Sequence, residues 1–228
     1  MLNEIDQIIR ECSSYTMIQA ERFAENIRYL VDIQGNHSFP EGSIVECGVW
    51  KGGMALAMMR IFGAARNYSF FDSFDGMPSP TQRDGNDARY WASHPGHPRY
   101  FDNCRANLSD FQSVLQKLRP GHLQFQINKG WFAESLARLD AGPVAFAHLD
   151  CDWYDSTYTC LERLWPQMAV GGVILIDDYY DWEGCRRAVH DFLSRHEARE
   201  PIRSVGKFGG ISITRLGDWT LAESPHLR

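Results

Sequence analysis

The sequence predicts an α/β protein built around a mostly parallel β-sheet. Two apolar, strand-like runs, 144–149 and 172–176, enclose a helical pattern at 156–168. A strand, a helix and a second strand without a tight turn between them are typical of a parallel βαβ unit buried on both faces. The same alternation occurs earlier in the chain, and 228 residues suit a single domain spanning 1–228.

Residues 1–42 predict an N-terminal helical cap. Apolar side chains recur at helical spacing over 3–12 and again over 17–33, after which Gly35 is a stop signal. We expect these two helices to lie over the sheet or its cleft edge, or to pair with a second subunit in a homo-oligomer.

The remaining elements alternate along the chain and end in a hairpin. Strands are predicted at 43–49, 68–74, 123–127, 202–205 and 211–214, and helices at 54–62, 99–118 and 183–196. The pattern of the last two strands predicts an antiparallel β-hairpin. The C-terminal end of the sheet is therefore expected to depart from the parallel arrangement of the rest.

One segment, 75–98, breaks this pattern. It is rich in glycine and proline, with aromatic and histidine residues between them. A long irregular segment inside a compact domain is usually either functional or disordered, and the aromatic residues argue against disorder. We therefore predict a substrate lid at 75–98.

Composition argues against several classes of protein. The net charge of −6 disfavours a general nucleic-acid-binding surface. No apolar run approaches the roughly 18–20 residues of a membrane span, and Glu4 and Asp6 are not typical of a signal peptide. The six cysteines form no C-x-x-C pair, which favours reduced thiols in a cytoplasmic protein over a disulfide framework.

Four acidic residues follow two successive strands of the predicted sheet. Asp150 and Asp152 follow the first strand, and Asp177 and Asp178 follow the second. The carboxyl ends of parallel strands meet at one sheet edge, where ligands bind in open α/β sheets. Hard oxygen ligands favour Mg²⁺, Ca²⁺ or Mn²⁺, so this edge is a candidate metal site. The alternative is two ordinary strand ends with solvated acids.

The first strand leads through a glycine-rich turn into a helix. The turn at 48–53 matches neither G-x-G-x-x-G nor a P-loop, and Glu46 before it suits a cationic ligand better than a pyrophosphate. Asp72 ends the second strand, where nucleotide-binding α/β folds hold ribose hydroxyls. Trp131 and Phe132 could flank a flat ring, although core packing explains them equally well.

Five segments together resemble one enzyme family. They are V-E-C-G-V-W-K-G-G (45–53), D-S-F-D-G-M-P (72–78), G-W-F (130–132), L-D-C-D-W-Y-D-S-T (149–157) and G-G-V-I-L-I-D-D-Y (171–179). Their pattern resembles the macrocin O-methyltransferase (TylF-like) family of class I S-adenosylmethionine-dependent methyltransferases, which methylate sugar hydroxyls of natural products. The resemblance extends over 16–215 and implies a Rossmann-like class I methyltransferase fold.

The resemblance implies a binding site for S-adenosylmethionine. The residues expected at the cofactor are Glu46, Gly48, Val49, Trp50, Gly52, Asp72, Ser73, Trp131, Phe132 and Asp150. In this interpretation the first turn meets the methionine part of the cofactor. Asp72 would hold the ribose, and Trp131 and Phe132 would lie near the adenine.

The resemblance also implies a metal and a catalytic base. Asp150, Asp177 and Asp178 would bind Mg²⁺, and Asp152 would be the general base. Members of the family commonly have glycine between the two acids of the D-x-D motif, where this sequence has Cys151.

These inferences predict a Mg²⁺-dependent O-methyltransferase that acts on a sugar or another vicinal diol of a small natural product. An alkyl hydroxyl is a poor nucleophile, but a bound cation lowers its pKa and a nearby carboxylate can take its proton. Three alternatives remain open: a catechol or phenol acceptor, a nicotinamide-dependent oxidoreductase and a non-catalytic binding protein. The missing glycine fingerprint disfavours the oxidoreductase, and the set of four acids disfavours the non-catalytic binding protein.

Overall fold

The computed structural model describes residues 2–97, 100–117 and 122–217. The strands in this part of the chain are β1 (Ser43–Cys47), β2 (Asn67–Asp72), β3 (Gln124–Lys129), β4 (Val144–Leu149), β5 (Met168–Ile176), β6 (Ile202–Ser204) and β7 (Ile211–Thr214). The helices are α1 (Leu2–Cys12), α2 (Ala20–Gln34), α3 (Gly53–Phe62), α4 (Gly85–Ser93), α5 (Phe101–Cys104), α6 (Leu108–Gln116), α7 (Phe132–Ser135), α8 (Tyr154–Leu164) and α9 (Glu183–Arg195).

The strands form one sheet in the order β3-β2-β1-β4-β5-β7-β6. β1 pairs in parallel with both β2 and β4, and β7 pairs antiparallel with β5 and β6. The strand order reverses between β1 and β4, which is the switch point at which open α/β sheets bind ligands. The predicted Rossmann-like fold with a C-terminal antiparallel hairpin is confirmed.

Two helical layers cover the sheet, because successive residues of a strand point to opposite faces. Ile44, Phe146 and Leu175 point to one face, which packs against α1, α2, α3 and α6. Their neighbours point to the other face, which packs against α8 and α9. All five residues of β1 are buried, since β1 has a strand on each side and a helical layer on each face.

The N-terminal cap lies on the first of these faces, and α2 reaches the cleft edge. The predicted helix over 17–33 begins later than expected, at Ala20, and ends at Gly35 as predicted. The residues before it form a turn, because the Thr16 hydroxyl accepts a hydrogen bond from the backbone N–H of Ile18 at 3.1 Å. Pairing of these helices with a second subunit stays a prediction.

The segment predicted as an irregular lid contains a helix. A 3₁₀ turn at Gln82–Asp84 is stabilised by a capping box between Thr81 and Asp84 and leads directly into α4. The prediction of irregular backbone was therefore wrong over 82–93, where T-x-x-D was the overlooked start signal. Pro98, the last residue of the predicted lid, lies outside the described residues. A lid function for 75–98 stays a prediction.

The long helix predicted over 99–118 is divided in two. α5 contains residues with left-handed backbone, Asp102 at φ 51° and Asn103 at φ 57°, and α6 begins only at Leu108. Within the described ranges, no helix is both long and apolar enough to cross a membrane. All six cysteines of the chain fall in these ranges and are free thiols.

Candidate functional site

Three carboxylates meet at the carboxyl ends of β4 and β5. Asp150, Asp177 and Asp178 each offer one oxygen, and these three oxygens lie within 4.8 Å of one another. Asp177 and Asp178 are buried, at 2% and 6% exposure, whereas Asp150 is partly exposed. The sequence correctly predicted their convergence, because β4 and β5 are parallel neighbours.

Bringing acids together in a buried place raises their proton affinity. Burial, and then the charge of Asp178, raise the pKa of Asp150 well above its ordinary value. Burial, and then the charge of Asp177, raise the pKa of Asp178 to about 6. The ionised cluster is therefore an unfavourable arrangement that a cation would stabilise.

Asp152 lies beside this cluster in an unusual backbone conformation. Its φ of 56° is left-handed, a region that aspartate tolerates better than most residues do. Its N–H donates to Asp178 Oδ2 at 3.0 Å, and its Oδ1 accepts from the indole N–H of Trp182 at 2.7 Å. Burial, and then the charge of Asp178, raise the pKa of Asp152. Such strained, well-fixed residues cluster at functional sites.

Helix α2 supplies a second layer of contacts to the acids. The side-chain amide of Asn26, which is fully buried, donates to Asp177 Oδ1 at 2.7 Å. Arg22 donates to Asp181 at 2.7 Å and lies 3.5 Å from Asp177. Sequence reasoning missed Arg22 and Asn26. The available signal was two polar residues, four positions apart, next to the apolar face of a predicted helix.

Glu46 is hidden beneath the first turn instead of lining the cleft. It lies opposite His148 on β4, and His148 Nδ1 is 3.2 Å from Glu46 Oε1, with both side chains buried. Burial raises the pKa of Glu46. Burial alone would lower the pKa of His148, but its contact with Glu46 raises it. Glu46 Oε2 and His148 Nε2 have no hydrogen-bond partner among the described residues.

An open cleft of about 610 Å³ lies at the end of β1, where the sequence predicts a cofactor. Most of the predicted cofactor residues line it, namely Gly48, Trp50, Asp72, Ser73, Trp131, Phe132 and Asp150. Val49 and Gly52 do not line it, and a side chain at Gly52 would overlap the ring of Phe111. Trp131 is 42% exposed, so it lies on the cleft wall and not in the core.

Asp72 organises the first turn. Its Oδ2 accepts the N–H groups of Val49 at 2.8 Å and Trp50 at 3.0 Å, and its Oδ1 accepts that of Phe74 at 2.6 Å. A carboxylate has about four acceptor positions, so a ribose hydroxyl can still be bound. Asp72 is therefore placed to hold both the turn and a ligand.

Gly48 allows β1 and β4 to approach closely where the two strands end. Its φ is 86°, and any side chain there would overlap the main-chain carbonyl of Asp150. The family resemblance implies that Gly48 lies at the cofactor, and Gly48 does line the first cavity. The structure shows that its neighbour is the strand that carries the acids.

A second cavity, of about 800 Å³, adjoins the first. Its lining comprises Met17, Ile18, Gln19, Arg22, Phe101, Cys104, Trp182 and the five acids Asp150, Asp152, Asp177, Asp178 and Asp181. Met17, Cys104, Asp150 and Asp152 line both cavities. Asp150 and Asp152 therefore lie at the boundary between the cleft at the end of β1 and a second space, an arrangement that suits transfer between two bound molecules.

Comparison with known proteins adds a family to this geometry. The model of the family described as Macrocin-O-methyltransferase (TylF) matches residues 10–211. The 8-demethyl-8-(2,3-dimethoxy-alpha-L-rhamnosyl)-tetracenomycin-C 4'-O-methyltransferase of Streptomyces olivaceus is 32% identical over 203 residues, 86% of this chain and 74% of that protein. The mycinamicin III 3''-O-methyltransferase of Micromonospora griseorubida is 28% identical over 207 residues, 86% of this chain and 77% of that protein.

Solved structures agree with the sequence relatives. The O-methyltransferase NovP superposes with a TM-score of 0.73 at 26% identity, covering 89% of this chain and 83% of that chain. A calicheamicin methyltransferase superposes with a TM-score of 0.68 at 18% identity, covering 95% of this chain and 93% of that chain. This likeness concerns the fold alone.

Proposed function

This chain belongs to the TylF macrocin O-methyltransferase family and is an S-adenosylmethionine-dependent O-methyltransferase, and from that premise we propose its acceptor class and its metal. We propose that it methylates a hydroxyl of a sugar, or of another vicinal diol, in a small natural product and that it uses Mg²⁺. The Streptomyces olivaceus relative, which is named for a rhamnosyl compound, supports the acceptor class.

The observation that carries the metal proposal is the oxygen cluster of Asp150, Asp177 and Asp178, with its three oxygens within 4.8 Å of one another. A set made only of carboxylate oxygens suits Mg²⁺. The raised pKa values of Asp150 and Asp178 are a second support, because they reflect repulsion and burial that a cation would offset. The donor chemistry therefore fits the ion.

The first cavity has the chemistry to hold the cofactor. Asp72 keeps about one free acceptor position for a ribose hydroxyl, and Trp131 and Phe132 offer aromatic surface for an adenine. Gly48 lines the cleft beside Asp150, whose main-chain carbonyl a side chain at Gly48 would overlap. We propose that the methionine part of S-adenosylmethionine lies beside these two residues, which would direct the reactive methyl group toward the second cavity.

The acceptor would lie in the second cavity with its hydroxyl between the metal ligands and Asp152. Mg²⁺ held by the three carboxylates would lower the pKa of a hydroxyl bound to it. The hydroxyl proton passes to Asp152, the oxygen forms a bond to the methyl carbon, and the electron pair of the sulfur–methyl bond goes to sulfur. The products are a methyl ether, S-adenosylhomocysteine and protonated Asp152, so charge and atoms balance.

A transfer assay tests both parts of the proposal. Wild-type protein is given tritium-labelled S-adenosylmethionine and methyl α-L-rhamnopyranoside, with either Mg²⁺ or EDTA. We expect label in the rhamnoside only when Mg²⁺ is present. Equal transfer in EDTA would rule out the metal, whereas no transfer to any diol of a wider panel would rule out the acceptor class.

Catechol is the second candidate acceptor, and the wall of the second cavity favours it. Met17, Ile18, Phe101 and Trp182 present apolar or aromatic surface beside the acids, and a flat ring carrying adjacent hydroxyls would fit such a wall. The same assay with catechol decides between the sugar and the catechol as acceptor. Label that enters catechol but none of the sugars would identify the enzyme as a phenol O-methyltransferase.

A further inference from the structure

We propose that Trp182 is a positioning residue for Asp152: its indole N–H holds one carboxylate oxygen, so that the other is presented to the acceptor hydroxyl. The inference rests on the proposed role of Asp152 as the general base. It concerns a residue outside the motifs, since Trp182 follows the D-D-Y segment and precedes α9.

The contact between the two side chains is short and directional. Trp182 Nε1 lies 2.7 Å from Asp152 Oδ1. No described residue donates a hydrogen bond to the other oxygen, Oδ2, although Asp152 lines both cavities. One oxygen is thus occupied by the protein, and the second remains available to a ligand.

Backbone contacts fix the two residues relative to each other. Asp152 N–H donates to the Asp178 carboxylate at 3.0 Å, and Trp182 N–H donates to the Asp178 carbonyl at 3.0 Å. The indole contact closes a ring of hydrogen bonds through Asp152, Asp178 and Trp182. Because the ring includes the left-handed backbone of Asp152, it defines both the main chain and the side-chain torsion of that residue.

Packing holds the indole in place. Trp182 meets Trp153 edge-to-face, with ring centroids 4.9 Å apart, and lies 6.3 Å from Trp91 of α4. Trp91 and Trp153 are themselves buried and 5.6 Å apart. Such pairs are rigid and favourable beyond their buried area. The cluster therefore restrains the direction of the Trp182 N–H and connects α4 to Asp152.

Trp153 shows that packing alone does not require this contact. It belongs to the same cluster, yet its indole N–H donates to the carbonyl of Pro78 at 2.9 Å. Trp153 and Trp182 thus share residue type, cluster and hydrogen-bonding state, and only Trp182 bonds to the acid. Trp153→Phe is accordingly the matched control for Trp182→Phe.

The first test needs no acceptor. Full-length protein containing ¹⁵N-labelled tryptophan, with S-adenosylhomocysteine and Mg²⁺ present, gives indole N–H resonances that the two Trp→Phe variants assign. We expect Asp152→Asn to shift the Trp182 indole proton upfield, because the acceptor of its hydrogen bond loses its charge, and to move the Trp153 proton less. An unmoved Trp182 resonance would overturn the contact.

The second test measures the function of the contact by single-turnover transfer to methyl α-L-rhamnopyranoside. We expect Trp182→Phe to slow transfer about 10- to 100-fold, the range for one hydrogen bond to a charged group, with unchanged affinity for S-adenosylhomocysteine. Trp153→Phe removes the hydrogen bond to Pro78 but keeps an aromatic ring against Trp182, so it should slow transfer less than Trp182→Phe does. In an Asp152→Asn background, Trp182→Phe should cause no further loss.

The outcomes separate this inference from the function on which it rests. Transfer at the wild-type rate by Asp152→Asn would overturn the role of Asp152, and the positioning role with it. A slow Asp152→Asn variant beside a fast Trp182→Phe variant would overturn the positioning role alone. The same fold-loss from Trp182→Phe in both backgrounds would mean that Trp182 acts through general packing, and would also overturn it.

Discussion

Asn26 and Asp177 are 151 residues apart in the chain and joined by a buried hydrogen bond of 2.7 Å. The bond fixes one oxygen of a proposed metal ligand from a helix that belongs to the N-terminal cap. Asn26 Oδ1 has no hydrogen-bond partner among the described residues. The side chain therefore carries the free-energy cost of a buried, unpaired oxygen, while only its NH₂ group makes a hydrogen bond. A positioning role for Asn26 explains that cost.

Asn26→Leu should therefore weaken metal binding while preserving side-chain volume. We expect the affinity for Mn²⁺, used as a spectroscopic substitute for Mg²⁺ and measured by electron paramagnetic resonance, to fall about 10-fold or more. Arg28→Ala is the matched control, because Arg28 lies on the exposed side of the same helix. Equal Mn²⁺ affinities for wild type and Asn26→Leu would contradict the role given to Asn26.

Asp72→Ala should weaken cofactor binding and the fold together. The carboxylate accepts three backbone N–H groups in addition to any ribose hydroxyl. We expect calorimetry to show a loss of about 1–3 kcal/mol in the binding of S-adenosylhomocysteine, the range for a hydrogen bond to a charged acceptor. The free energy of unfolding should fall as well.

Asp75→Ala supplies the comparison for Asp72→Ala, because Asp75 is an exposed acid three residues further along. It should leave both the cofactor affinity and the free energy of unfolding near the wild-type values. A variant Asp72→Ala that is less stable but binds S-adenosylhomocysteine normally would limit Asp72 to organising the turn.

Asp152→Asn should separate chemistry from binding. Asparagine tolerates the left-handed backbone at this position and can keep an oxygen toward the Trp182 indole, but it cannot accept the hydroxyl proton. We expect kcat to fall by roughly 10²–10⁴, the contribution of a positioned general base. Affinity for S-adenosylhomocysteine, measured by calorimetry, should barely change. A transfer rate within about threefold of wild type would exclude Asp152 from the mechanism.

Much of the sheet edge was predictable from the sequence, because the rules that govern it are local. Alternating strand and helix patterns defined β4, α8 and β5, and parallel pairing then required Asp150 and Asp178 to meet. The position of Asp72 at the end of β2 followed in the same way. Each of these residues is placed by the element that contains it.

The supporting residues were not predictable, because other elements bring them to the site. Asn26 and Trp182 reach the acids only after α2 and α9 have packed against the sheet. Glu46 is the reverse case, and its contact with the cofactor stays a prediction. An acid at a strand end resembled a ligand contact, yet β1 is covered on all sides, and the side chain pairs with His148 in the interior.

The acid cluster should make stability depend on pH when no metal is bound. Burial and the charge of Asp177 raise the pKa of Asp178 in the folded protein to about 6, whereas an unfolded chain titrates it near about 3.9. At pH values between these two pKa values, Asp178 is protonated in the folded state and ionised in the unfolded chain. The free energy of unfolding should therefore fall as pH rises from about 4 to about 6, by at most about 3 kcal/mol from this group, and stay low above that.

Unfolding by urea in EDTA at about pH 5 and about pH 7.5 measures this fall. Asp178→Asn cannot ionise and keeps an oxygen for the Asp152 N–H, so its pH dependence should be smaller than that of wild type. Mg²⁺ added at the higher pH should stabilise the wild-type protein, because an ion bound by the folded cluster and not by the unfolded chain would favour the folded state. The same addition should have less effect on the variant. Equal pH slopes and equal Mg²⁺ effects in the two proteins would show that these carboxylates neither repel one another nor bind the ion.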